Sequence, residues 1–277
     1  MPLAPTDTRF LFRPLITDIV ALLRGLSADD WERPTVAGTW RVRHVVAHLL
    51  DTALRRLSGG RDGQAIAPDR PIVTDRDLVG FINALNASWI RATERLSGRV
   101  LTDLYERAGI DLAQWFEGAS LDASARLAVS WAGESESAAW FDIGREFTEI
   151  WHHGSQIRDA VGAGPFPDPR WLHAVLEIAV RVLPHAYRHT EGVAGQAVQL
   201  NVTGPSGGSW TLVATDSGWD LRAGTATRPT TTMTMSDESA WRLFFNALQP
   251  STIDQIVGVV GEIALSRPLL NARSVIV

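Results

Sequence analysis

The sequence contains no cysteine. Disulfides, cysteine-ligated zinc and a cysteine nucleophile are therefore excluded, and any thiol chemistry must take its sulfur from a bound small molecule. No block of basic residues occurs, and the formal net charge of the 277 residues is -5, so neither nucleic acid nor an anionic membrane surface is an expected partner. No apolar run is long enough to span a bilayer. The opening residues, MPLAPTDTRF, lack the basic and apolar regions of a signal peptide, so a cytoplasmic location is the expectation. There is no P-loop, no G-x-G-x-x-G after a strand and no G-x-S-x-G, which leaves nucleotide-binding and serine-hydrolase readings without support.

What is present suits a soluble globular chain, with 45% hydrophobic and 21% charged residues. The length is enough for two compact domains. Tryptophan stands out, with eleven copies. Trp40, Trp89, Trp115, Trp131, Trp140 and Trp151 precede residue 190 and are candidates to wall an apolar pocket.

The first part reads as helical. Phe12, Leu15, Ile16, Ile19, Val20 and Leu23 recur at helical spacing, and regular helix is expected from about Arg13 to Leu26. Thr39 is a candidate N-cap for a second helix to about Leu57, with Val42, Val45, Val46, Leu49, Leu50 and Ala53 as its apolar stripe. His48 falls roughly 60° from Val45, on the margin of that stripe, where it can face a cleft. His44 lies further round and is expected to be more exposed. Thr74 or Asp75 can cap a third helix through Leu96. Ser97 to Ala119 predicts one or two short helices, broken near Gly98 and Gly109. A long helix follows from about Glu136 to Val161, ended by Gly162-Ala163-Gly164-Pro165, and another from Arg170 to Thr190.

At Gly192 the pattern turns to alternation: Val198–Val202, Trp210–Thr215, Trp219–Arg222 and Thr230–Met235 read as strands. Asp237 can cap a helix to Leu248. Asp254–Val260 reads as a further strand, and a helix is expected at 262–272. These elements predict an all-α bundle over 1–190 and a small α+β domain over 191–277.

The chemistry concentrates on the long helix. Glu149 and His153 are four residues apart and share a face, with Arg145 one turn before them. A carboxylate and an imidazole so placed can share a divalent metal, and His48 is the candidate third ligand. Two neutral donors and one anion suit Zn²⁺ and also nickel, manganese or iron, with a coordination position left open. An open position can lower the pKa of a bound thiol or water. The spacing leaves ordinary roles open as well: Glu149 paired with Arg145 on a solvated face, and His48 as a core histidine. Arg145 and Arg158 are candidates to bind a substrate carboxylate bidentately, or to form helix-surface ion pairs. Gln156 is a candidate polar contact. His152 points about 100° away from His153 and reads as a surface or supporting residue. The pairs His173/Glu177 and His185/His189 read as structural or exposed.

Three passages together resemble a known family: Leu26-Ser27 through Trp31-Glu32-Arg33-Pro34-Thr35 to Gly38-Thr39-Trp40-Arg41-Val42-Arg43 and Ala47-His48-Leu49; Arg145 to His153; and Gln156 to Gly162. They are similar to the mycothiol-dependent maleylpyruvate isomerase family, whose N-terminal domain is a DinB-like four-helix bundle. Val202-Thr203-Gly204-Pro205, Trp210 to Val213, Ala240 to Phe244 and Leu265 to Leu270 resemble that family's C-terminal domain, which is related to sterol carrier proteins. The resemblance implies a metal, usually zinc, on a helix-two histidine and an E-x-x-x-H pair, here His48, Glu149 and His153. It further implies mycothiol as a thiol cofactor and a small-molecule substrate. The implied reaction is cis-trans isomerisation of maleylpyruvate to fumarylpyruvate, by thiolate addition to the double bond, rotation and loss of the thiol. Related DinB-like proteins make S-transfer a second implied activity. A metallohydrolase on the same scaffold, or a non-catalytic small-molecule binding protein, stays open beside these readings. So do both the monomer and the homodimer.

Overall fold

The computed structural model describes residues 1–69 and 71–275, and contacts divide the chain into two compact units. One unit comprises 8–120 and 149–166 and is helical; the other comprises 1–7, 121–148 and 167–275 and carries the sheet. The elements confirm a helical N-terminal region followed by a small sheet with helices. A cut at 190/191 does not follow the contacts, because 121–148 and 167–190 group with the sheet unit.

In the helical unit, α1 (Phe12–Arg24), the short α2 (Ala28–Trp31), α3 (Val42–Arg55), α4 (Asp75–Thr93) and α5 (Gly98–Glu117) are joined by the second part of α6 (Ala139–Val161). The stripe of α1 is fully enclosed, with Phe12, Leu15 and Ile16 all at 0% exposure. Burying such side chains contributes roughly 1.5–3 kcal/mol each. α5 packs against both α1 and α3, and α4 packs against α3. Thr74 caps α4 through its side chain, as one of the two sequence candidates requires.

Several boundaries differ from expectation for identifiable reasons. α5 runs without the break expected near Gly109, because Gly109 lies against Ile16 of α1 and serves close approach. α3 is capped at Arg41, not Thr39: residues 34–41 form a tight turn, with Gly38 at φ 60° and a Pro34–Arg41 bridge. Residues 250–256 are a helix with Pro250 in its first turn, so the strand expected over Asp254–Val260 is confined to Gly258–Gly261.

In the sheet unit the strands are β1 (Ala197–Thr203), β2 (Gly208–Thr215), β3 (Gly218–Ala223), β4 (Thr231–Ser236) and β5 (Gly258–Gly261), in the order β3-β2-β1-β4-β5. Only β1 and β4 pair in parallel; the other pairs are antiparallel. The helices α7 (Pro169–Ala179), α8 (Leu183–Ala186) and α9 (Asp237–Phe244) accompany the sheet, with α7 against α9 and α8 against β3. Those contacts are why 167–190 belongs here. The expected helix from Arg170 to Thr190 is divided by a 3-10 turn at Val180–Val182 before Pro184. The C-terminal helix is short, Arg267–Leu270. Among the described residues, no helix is long and apolar enough to cross a membrane.

Gly154, between His153 and Gln156, lets α6 approach α1: a Cβ there would lie 2.7 Å from Phe166 Cζ and 2.9 Å from Ile19 Cδ1. Ile19 is 1% exposed and has little room to yield. Gly154→Val is therefore expected to lower the urea midpoint at constant m, by the equivalent of about 1–3 kcal/mol for an overpacked core. An unchanged or raised midpoint would contradict this packing.

Candidate metal centre

α3 and α6 bring three side chains together within the helical unit. His48 on α3 has 6% exposure, in keeping with its place at the margin of the apolar stripe, whereas His44 is only partly buried. Its Nε2 lies 3.2 Å from Glu149 Oε1 on α6. His153 Nε2, one turn further along α6, lies 3.2 Å from the same oxygen. The donor atoms of His48, Glu149 and His153 all fall within 4.8 Å of one another, although His48 and Glu149 are 101 residues apart in sequence.

The donor set fits a divalent cation. Zinc–nitrogen and zinc–oxygen bonds of about 2.0–2.2 Å at tetrahedral angles put neighbouring donors roughly 3.3 Å apart, close to the two nitrogen–oxygen separations here. His153 Nδ1–H donates to Gln156 Oε1 at 2.8 Å, which turns the Nε2 lone pair of a neutral ring toward the carboxylate. That lone pair and the carboxylate oxygen repel unless a proton or a metal lies between them, whereas a neutral His48 can donate its Nε2–H to the same oxygen. The His48 and His153 side chains keep 7% and 11% exposure and Glu149 keeps 31%, so access is from the side of the carboxylate.

Charge follows the same geometry. Burial pushes the Glu149 carboxyl upward, but His153 and the hydrogen bonds from both imidazoles outweigh it and hold the group well below the usual carboxylate range. Burial pushes His153 down, yet Glu149 overrides it and leaves the ring raised. For His48 burial wins, and the ring is lowered despite its bond to Glu149.

Trp40 is the tryptophan that stands at this cluster, 5.0 Å from the His48 ring and 6.5 Å from the His153 ring by centroids. The turn before α3 holds it there, with the Trp40 carbonyl accepting from both Thr35 N–H and Thr35 Oγ1–H. Trp89 has a positioning role: its Nε1–H donates to the Ala47 carbonyl at 2.8 Å, beside His48. Trp131 and Trp140 instead pack around Val129, Phe141 and Ile178 in the sheet unit. A cavity of about 430 Å³ in the helical unit, lined by Leu23, Trp31, Arg99 and Asp103 among others, includes none of the three donors.

The two arginines have other partners. Arg145 pairs with Asp142 at 2.8 Å and reaches Glu146 at 3.5 Å. Arg158 pairs with Asp18 of α1 at 2.8 Å, and its Nε–H donates to the Gly164 carbonyl beyond α6. His152 is 8% exposed, so the surface alternative does not hold, and its Nε2 accepts from Gln156 Nε2–H at 3.1 Å. The i, i+3 and i, i+4 spacing of Gln156 from His153 and His152 was the available sequence signal for that contact. His173 Nδ1 lies 3.2 Å from the carbonyls of Ser206 and Gly207, a structural role as expected.

Comparison with known proteins places this geometry in context. Residues 12–158 match the family described as Mycothiol maleylpyruvate isomerase N-terminal domain, and residues 179–255 match the SCP-2 sterol transfer family. Two uncharacterized proteins, from two strains of Mycobacterium tuberculosis, are each 26% identical over 203 residues, 72% of this chain and 74% of theirs. Two crystal structures titled as mycothiol-dependent maleylpyruvate isomerase, one of them a mutant, align with TM-score 0.53 at 14% and 12% identity. Each alignment covers 94% of this chain and 95% of the other. At that identity the alignments show the shared fold.

The metal-free protein provides a test of the charge arrangement. His153, raised above its ordinary value of 6.5, adds stability that is complete below 6.5 and is lost as pH rises through the folded-state pKa. Glu149, held below its ordinary value of 4.5, adds stability that is present above 4.5 and lost as pH falls through its folded-state pKa. The pair therefore contributes most between pH 4.5 and 6.5. His48, being lowered, subtracts stability below 6.5 and opposes this in part. The difference in urea midpoint between wild type and Glu149→Gln should be widest in that window and shrink as pH rises through the folded-state pKa of His153. A pH-independent difference would contradict the arrangement.

Proposed function

The chain belongs to the mycothiol maleylpyruvate isomerase family, and from that premise we propose a metal-dependent enzyme that uses a low-molecular-weight thiol, mycothiol. Its reaction on this reading is isomerisation of a maleylpyruvate-type substrate or S-transfer to a small molecule. The observation that carries the proposal is the convergence of His48 Nε2 and His153 Nε2 on Glu149 Oε1, each at 3.2 Å.

Held by His48, Glu149 and His153, a divalent cation (zinc first, with nickel, manganese or iron as alternatives) would supply an anionic sulfur nucleophile at neutral pH by lowering the pKa of a thiol. The three side chains bring one negative charge to that dication, so an anionic further partner is favoured over a neutral one. Three protein donors leave room for it, and the exposed edge of Glu149 gives the approach. Trp40 covers the ring of His48 and keeps water from that side. The absence of cysteine is consistent with a borrowed thiol.

Arg145 and Arg158 remain candidates for a substrate carboxylate under this proposal, on condition that they exchange partners. For Arg158 that would mean releasing Asp18 and the Gly164 carbonyl, so a structural tie between α6 and α1 is the role its contacts support. Arg145 would share its guanidinium between Asp142 and the incoming carboxylate.

Purified protein is expected to bind about one zinc or cobalt per chain, and His48→Ala, Glu149→Ala and His153→Ala should each lose most of it. Added mycothiol should change the visible spectrum of the cobalt-loaded protein. An unchanged spectrum would sink the thiol reading, and hydrolytic activity without any thiol would favour bound water as the nucleophile.

A further inference from the structure

The two imidazoles at the proposed centre are supported unequally. Among the described residues His48 Nδ1 is buried with no hydrogen-bond partner, so Glu149 at Nε2 and packing, including the Trp40 ring, orient that side chain. His153 Nδ1 is held by Gln156. Gln156 is 6% exposed, and its amide touches two rings at once: Oε1 is 2.8 Å from His153 Nδ1, and Nε2 is 3.1 Å from His152 Nε2. Those rings stack with centroids 5.4 Å apart, so one side chain a turn later meets both edges.

A primary amide has a direction, since its carbonyl only accepts and its NH₂ only donates. With Oε1 facing His153, the hydrogen of a neutral His153 sits on Nδ1 and the Nε2 lone pair faces the point shared with Glu149 and His48. The reversed amide would do the opposite. Its NH₂ would require His153 Nδ1 to accept, the ring hydrogen would move to Nε2, and His153 would simply donate to Glu149. The direction of one buried amide therefore separates a ligand from an ordinary hydrogen-bonded histidine. His152 sets that direction, because its Nε2 accepts from the Gln156 NH₂.

We infer that Gln156 is a positioning residue for His153, and that His152 is the acceptor that orients Gln156. This inference rests on the metal reading of the His48–Glu149–His153 cluster. His152 does not coordinate; it acts through the amide. The pairing gives the two adjacent histidines different tasks, one at the centre and one behind it.

The test uses the full-length protein with zinc alone as probe. Gln156→Met keeps length and removes both hydrogen bonds; Gln156→Glu keeps the acceptor toward His153; His152→Phe removes the acceptor that orients the amide. Competition with a chromogenic chelator should show zinc affinity falling about 10- to 100-fold in Gln156→Met, staying within about threefold of wild type in Gln156→Glu, and falling to an intermediate value in His152→Phe. Histidine ¹⁵N shifts of the zinc-loaded wild type should show His153 protonated at Nδ1 and coordinated through Nε2, with a second form appearing in Gln156→Met. Should Gln156→Met fail to fold, Gln156→Glu against His152→Phe decides by the same order of affinities. Wild type that binds zinc while Gln156→Met binds it equally well overturns the positioning role alone. Wild type that binds no zinc overturns the metal reading, and this inference with it.

Discussion

Two imidazole nitrogens converge on one carboxylate oxygen inside the helical unit, and each contact needs a hydrogen, a proton or a metal ion between nitrogen and oxygen. A carboxylate drawn partly out of water without a partner is costly, and the Nε2 lone pair of a neutral His153, whose Nδ1–H is donated to Gln156, adds to that cost. In the metal-free chain a proton on His153 meets that need, and Glu149 holds this ring raised, while at His48 burial wins and the ring is lowered. A divalent metal meets it for both rings at once. The surrounding structure serves to keep these atoms at a common point: the Gly154 contact sets the approach of α6 to α1, Trp89 ties α4 to α3 beside His48, and the turn over 34–41 delivers Trp40.

The helical region and the ligand candidates were legible because both depend on local periodicity. The stripe of α1, the margin position of His48 and the shared face of Glu149 and His153 follow from 100° per residue. That His48 would meet Glu149 across 101 residues was not contained in either helix alone. The match of all three passages to one family supplied it. Pairings that depend on close approach were not legible. Gly109 reads as a helix breaker until Ile16 is seen against it, and Thr39 reads as a cap until the turn that consumes it is seen. For His152 the sequence leaves surface and supporting roles both open, because its burial depends on neighbours far from it in sequence. The division into units was obscured similarly: α7 and α8 are ordinary amphipathic helices, and nothing in their periodicity says that their apolar faces meet α9 and β3.

Several strong side-chain interactions in this chain hold elements together without taking part in the centre. Arg158 joins α6 to Asp18, and Trp210 Nε1–H donates to Glu177. Gln199, at 2% exposure, has its Oε1 bonded by Thr211 Oγ1–H and the Ala226 N–H. Each satisfies a polar group that burial would otherwise penalise. The centre differs from them in its convergence on one oxygen: the Glu149 carboxylate stays partly open, and its two nitrogen–oxygen contacts, at 3.2 Å, are longer than strong charge-assisted bonds.

X-ray absorption at the zinc edge of the loaded protein tests the central claim most directly. The account predicts a first shell with two imidazoles and at least one oxygen at about 2.0–2.2 Å. A spectrum without imidazole scattering, or with a single imidazole, would contradict it.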